Sequence, residues 1–286
     1  MDPQTPHLGR RRFLGWAAAS AAFVGAHGRI ASEDPGANSP PGKPKAAGPR
    51  ILSLELLTSA PLAKMKEFYH QSLGLPVLDE RQERLTIGAG ETRLAFVKAG
   101  PDIEKPFYHF AFNIPENKLL AARTWQLERT PLLPIPARLR DPAYPDDVVD
   151  FYHWNAHSVF FLDPGGNVAE YIARHDLKNG TPGSFGSQDI LYASEIGLIV
   201  DDVPATASKL KEVVGLDQYR GGDNQFTAIG DEQGLLLVMK RGRVLNFNPS
   251  STEKAARVFP TVASVRGVKR TRYLLPEFPY ELTVEG

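Results

Sequence analysis

One unit, a strand followed by a helix and three further strands, recurs along this chain, and the recurrence limits the fold more than any other feature. In the first copy Ile51 to Leu57 reads as a strand. Leu62, Met65, Phe68, Tyr69 and Leu73 then recur at three- and four-residue spacing, the apolar stripe of a helix that Gly74 ends. Short apolar runs follow at Val77-Leu78, Leu85 to Ile87 and Leu94 to Val97, separated by charged or glycine-bearing breaks. The unit returns at Ile190: Glu195 to Val200 is the strand, Val203, Ala207, Leu210 and Val213 mark the helix, and Val214-Gly215-Leu216 matches Leu73-Gly74-Leu75. Phe226 to Gly230 and Leu235 to Lys240 match Leu85 to Gly88 and Leu94 to Lys98. A more diverged copy lies between, with a strand at Tyr108 to Ile114, a helix at Lys118 to Leu127, a strand near Leu132-Leu133 and a closing hairpin from His157 to Arg174. A unit of this size cannot bury its sheet face alone, so copies must pair. The spacing predicts an α+β chain of tandem βαβββ modules.

The closing hairpin turns at Asp163-Pro164-Gly165-Gly166-Asn167, where proline presets φ and glycine supplies the positive φ of a tight turn. Its second strand carries one carboxylate, Glu170, among Val168, Ala169, Tyr171 and Ile172. An unpaired buried carboxylate is costly, so Glu170 points at a metal, a base or water, or lies on the solvent face.

With its paired βαβββ modules, Tyr108-His109 to Ile114 opening one module and Phe160 to Glu170 closing it, the chain resembles the vicinal oxygen chelate superfamily of glyoxalase I, extradiol dioxygenases and bleomycin resistance proteins. The resemblance covers residues 51–175 well and 190–242 more loosely. It implies modules 51–100 and 107–175 within a domain at 51–177, and a third module with C-terminal strands over 188–286. It further implies that two modules pair into a curled-sheet cup with a divalent metal at its floor, with His109 as imidazole ligand and Glu170 as carboxylate ligand, a donor pair suited to Fe, Mn, Ni, Co or Zn.

The family pattern expects a further ligand on the first strand of the first module. Counting back equal distances from Gly74 and Gly215 gives Leu54 and Glu195, and leucine cannot bind a metal. Glu55 would serve only if the register slipped by one. His157 is the substitute: a third ligand completing a two-histidine, one-carboxylate face, a free acid/base, or a hydrogen-bonded histidine at a strand end. His153 and His157 adjoin a Pro- and Asp-rich segment from Ala137 that would cover the cup. Arg138, Arg140, Tyr144, Tyr152 and Trp154 from this segment are candidates for lining an entrance, with Arg138, Tyr152 and Trp154 foremost. His70 reads as a surface residue and His175 as a local contact.

Acidic and basic residues balance at 33 each, which gives no electrostatic case for nucleic acid, and the absence of cysteine excludes disulfides, thiolate metal sites and a catalytic thiol. Arg10-Arg11-Arg12-Phe13-Leu14 before the short apolar run Trp16 to Ala26 resembles a twin-arginine (Tat) export signal. It implies cleavage after Ala26 or Gly28 and a periplasmic or secreted location without stable membrane insertion. Residues 29–50, rich in Pro, Gly, Ala and Ser, read as a disordered linker.

Short strands are expected at Thr261 to Val265, Arg272 to Leu275 and Tyr280 to Val284. With the third module they would form a half-cup against the first two modules or against a second subunit, making a homodimer one arrangement. The functional expectation is an exported, divalent-metal-dependent enzyme, dioxygenase-like or lyase-like, acting on a small oxygen-chelating substrate. The alternative is a metal-free binding protein on the same fold.

Overall fold

The structure, a computed structural model, describes residues 49–243, 256–267, 270–275 and 277–286, so the expected signal and nearly all of the linker lie outside the described residues. The first module runs β1 (Arg50–Thr58), α1 (Leu62–Lys66) continuing as a π-helical stretch (Glu67–Ser72), β2 (Val77–Arg81), β3 (Arg84–Ala89) and β4 (Thr92–Lys98). The second runs β5 (His109–Ile114), α2 (Leu119–Leu127), β6 (Val149–Phe151), β7 (Ala156–Leu162) and β8 (Val168–Arg174). The third runs β9 (Tyr192–Val200), α3 (Val203–Val214), β10 (Gln218–Gly222), β11 (Phe226–Asp231) and β12 (Gly234–Lys240). Three strands follow: β13 (Thr261–Arg266), β14 (Thr271–Leu274) and β15 (Tyr280–Glu285).

Among the described residues the strands form two sheets, ordered β14-β15-β13-β1-β4-β3-β2 and β10-β11-β12-β9-β5-β8-β7-β6. Each module contributes its strands in the order first, fourth, third, second, and β13-β15-β14 repeats that order with one strand fewer. Only four residues separate β13 from β14, too few for a helix and a strand, so the C-terminal strands are a fourth module cut down to its sheet.

The tandem-module fold is therefore as expected, but the pairing is not. Modules two and three join through antiparallel β5 and β9, while module one joins the C-terminal strands through antiparallel β1 and β13. Each sheet takes strands from both sides of the division at residues 177–188. Two tyrosines tie the sheets together. The Tyr108 hydroxyl accepts from Leu57 N at 3.1 Å and donates to Pro260 O at 2.8 Å, and the Tyr280 hydroxyl bonds both N and O of Ile199 at 2.8 Å.

Local chemistry explains the elements. Asp202 caps α3 by accepting from Ala205 N at 3.0 Å, Pro204 stands in its first turn, and Gly215 ends it at φ 68°. The first helix differs, because its π-helical stretch takes up one extra residue. Thr58 pairs with Lys98 as Val200 pairs with Lys240, yet sixteen positions lead from Thr58 to Gly74 and fifteen from Val200 to Gly215. Counting back from the glycines thus slips the strand by one, and a one-residue slip exchanges the faces. Leu54 and Leu56 lie on the helix face, where Phe96, the partner of Leu56, stacks on Tyr69 at 4.9 Å. Glu55 lies on the opposite face, paired with Arg84.

Candidate metal centre

The floor of the second sheet carries the site. β5 and β8 run parallel with Ala111 beside Glu170, and β5 and β9 run antiparallel with Ala111 beside Glu195. Strand alternation puts His109, two residues from Ala111, on that same face. Donor atoms of His109, Glu170 and Glu195 all lie within 4.8 Å of one another. His109 Nε2 is 3.5 Å from Glu170 Oε2 and 3.8 Å from Glu195 Oε2, and the three residues are 2%, 1% and 2% exposed.

The hairpin turn holds His109 in place. Asp163 accepts from the backbone N of Asn167 at 2.9 Å, from its side-chain amide at 2.8 Å and from the Tyr69 hydroxyl at 2.7 Å. Asn167 in turn accepts from Tyr108 N at 2.9 Å, which fixes the start of β5 against the start of β8. His109 Nδ1 lies 3.0 Å from Val168 O, a contact that orients the ring with Nε2 toward the two carboxylates. Gly197 leaves space beside this ring: a Cβ there would stand 3.7 Å from His109 Cβ and 2.4 Å from Met239 Cε.

Arg174, fully buried at the end of β8, was not singled out from sequence. It donates to Glu195 Oε1 and, through Nε at 3.2 Å, to Asn113 Oδ1. Its signal was there in retrospect, since position 174 shares a strand face with position 170. Glu195 is visible in the sequence too, an acid in an apolar first strand, but repeat spacing alone places it in a separate half-cup. The sheet order makes it the direct partner of His109 and Glu170, which corrects the search for a third ligand in module one.

Burial raises the Glu170 carboxyl well above the ordinary carboxylate range, and the Glu195 charge raises it further, against weaker lowering by Ser158 and Arg174. Glu170 Oε1 is buried without a well-formed hydrogen bond, the Ser158 hydroxyl approaching without closing one. A divalent cation would satisfy that oxygen and relieve the carboxylate repulsion, so the residues fit a metal. The pseudo-symmetry shows what they do not supply. Gly197 pairs with Leu237 as Ala111 pairs with Glu170, so the fourth equivalent position holds leucine. In module one, equal strand register puts Ser53 and Ala95 at the positions of Glu195 and Leu237.

His157 does not join this cluster. It pairs with Ala173 on β8, three residues from Glu170, and alternation sends it to the opposite face. There its Nε2 lies 3.3 Å from Asp141 Oδ2 and its Nδ1 2.9 Å from His175 Nε2. From the segment that follows Ala137, Phe151 and Trp154 pack on Ala111, Ala156 and Ile172, and Trp154 lies 5.4 Å from the Arg174 guanidinium. Trp154 also meets Tyr219 and Phe226 of the third module. Tyr152 is 80% exposed and Arg138 is exposed, so neither faces the floor. A cavity beside His109, lined by Phe107, Tyr108, Gly197, Phe259, Thr261 and Tyr280, measures about 10 Å³, room for one water.

Fold and site together define an arrangement of tandem βαβββ modules with a buried His/Glu/Glu group able to hold a metal. No protein-family model matches the chain. It is 29% identical to Glyoxalase 1 of Caenorhabditis elegans over 96 residues, 32% of this chain and 34% of that protein, so it spans about a third of that relative's length. The crystal structure of a candidate dioxygenase from Bacillus subtilis is similar over 82% of this chain and 84% of that one, at 16% identity and a TM-score of 0.52. A glyoxalase I variant from Zea mays is similar over 83% of this chain and 93% of that one, at 12% identity and a TM-score of 0.48.

Proposed function

We propose that this chain is a divalent-metal-dependent enzyme of the vicinal oxygen chelate superfamily, acting on a small substrate that binds through adjacent oxygens in a dioxygenase-like or lyase-like reaction. The observation that carries the reading is the convergence of His109 Nε2 and two carboxylates in a dry interior, with one oxygen of Glu170 lacking a well-formed bond. Structural ion pairs are seldom left so incompletely satisfied. A bound Fe, Mn, Ni, Co or Zn ion would supply Lewis acidity to a chelated substrate.

The protein's own residues would do the rest. Val168 O orients the ring of His109, Arg174 holds Glu195 in one orientation, and Phe151 with Trp154 keeps bulk water from the floor. A substrate enters only when Trp154 leaves Arg174. The guanidinium Nη1 of Arg174 is buried without a partner and would receive a substrate oxyanion. Arg138 and Tyr152 remain candidates for the outer entrance. Export by the twin-arginine route and homodimer formation belong to the same proposal; unchanged periplasmic accumulation after Arg10→Lys and Arg11→Lys would refute the first.

The metal-free alternative draws support from Leu237 at the fourth ligand position and from the aromatic filling of the cup. One experiment separates the readings. Protein reconstituted with each of the five metals is offered catechols, α-hydroxy ketones and α-keto acids while dioxygen uptake and product are followed. Turnover with at least one metal, lost in Glu195→Gln, is expected. Equal binding of these compounds by chelator-treated wild type and Glu195→Gln, without turnover, would establish the alternative.

A further inference from the structure

On the face of β7 and β8 away from the metal centre, two imidazoles meet. Nδ1 of His157 and Nε2 of His175 are 2.9 Å apart, with ring planes inclined by 62°. Each ring turns its other nitrogen to a carboxylate: His157 Nε2 lies 3.3 Å from Asp141 Oδ2 and 3.9 Å from Asp150 Oδ1, and His175 Nδ1 lies 3.3 Å from Glu116 Oε2. The 2.9 Å separation is that of a hydrogen bond between the rings, and with each distal nitrogen donating to its carboxylate the same two facing nitrogens are placed to share a metal ion. Three carboxylates, Asp141, Asp150 and Glu116, supply the compensating charge, and Tyr144 covers the His157 ring at 4.1 Å.

An imidazole whose distal N–H is held by a carboxylate is the arrangement that orients histidine for a metal and raises its basicity. The His157 and His175 side chains are 14% and 22% exposed, open enough for an ion to enter with its own water. We propose that His157 and His175 form a second transition-metal site, binding a borderline ion such as Zn²⁺ through Nδ1 of His157 and Nε2 of His175, with Asp141 and Glu116 orienting the rings. Tetrahedral zinc would set the two nitrogens roughly 3.3 Å apart, a ring movement of a few tenths of an ångström. Water completes the coordination. The site is independent of the central cluster, from which the sheet separates it.

The test is a calorimetric titration of chelator-treated wild-type protein with Zn²⁺. A second equivalent beyond the central one is expected, absent in His157→Gln and in His175→Gln and about tenfold weaker in Asp141→Asn. A single equivalent retained in Glu195→Gln but lost in His175→Gln would uphold this site and refute the central one. A single equivalent lost in Glu195→Gln and unaffected in both histidine variants would overturn the proposal and leave the contact as a hydrogen bond between the two rings.

Discussion

Glu170 shows how one side chain sets function against stability. A carboxylate whose folded pKa is raised keeps its proton in the folded state at pH values where the unfolded chain has lost it. Stability in the absence of metal therefore falls as pH rises above about 4.3, the unfolded value, and continues to fall until the folded group also ionises. Glu170→Gln removes the ionisation and should raise the stability of the metal-free protein at pH 7 by about 1–3 kcal/mol while abolishing metal uptake. Thermal unfolding with chelator across pH 4–8 checks both statements; a variant less stable than wild type at neutral pH would mean the carboxylate is already well paired. Gly90 makes a steric case of the same kind. It sits at φ 56° in the β3–β4 turn, where a Cβ would come 1.9 Å from Leu191 O. That backbone cannot yield cheaply, because Leu191 O also accepts from Glu91 N at 2.9 Å. Gly90→Ala should cost about 2 kcal/mol or more, read as a lowered denaturation midpoint.

At the scale of elements, what the sequence concealed was register and reach rather than identity. Periodicity was enough for β9, α3 and the β7–β8 hairpin, because apolar spacing, an Asp202 cap and a Pro-Gly-Gly turn each have a local physical cause. The π-helical stretch had none that periodicity detects: one extra residue in Glu67–Ser72 leaves the apolar stripe intact and shifts only the count. That shift made Leu54 seem the missing ligand, although it lies on the helix face. Trp154 illustrates a different gap, since a tryptophan in an irregular segment has no pattern to say which neighbour it will cover. Here it closes the cup by packing between Arg174 and the third module. Trp154→Ala should therefore speed removal of bound metal by a chelator at least tenfold, with a stability loss of about 3 kcal/mol. Unchanged extraction kinetics would mean that metal reaches the floor by another route.

In the whole molecule, the first module closes a sheet with the last strands, and the inner two modules close the other. His109 and Glu170 are legible as a pair because both fall in one module, on its opening strand and its closing hairpin; their link to Glu195 is not, because pairing between modules depends on long-range strand contacts that leave no mark on spacing. The interleaving has a practical consequence. Fragments 51–177 and 188–286 each lose the partners of β1 and β5 or of β9 and β13, exposing apolar edges. Expressed separately they should aggregate or remain unfolded, and co-expressed they should associate and recover the far-ultraviolet circular dichroism of the intact chain; independently folded, monomeric fragments would contradict the topology.

The most direct test of the His109/Glu170/Glu195 centre is the metal content of purified protein after dialysis, wild type beside Glu195→Gln, by elemental mass spectrometry. About one tightly held divalent transition-metal ion per chain in the wild type and far less in the variant is the expected result. A wild type that neither retains nor takes up such an ion, or a Glu195→Gln protein that holds it equally well, would contradict the metal centre.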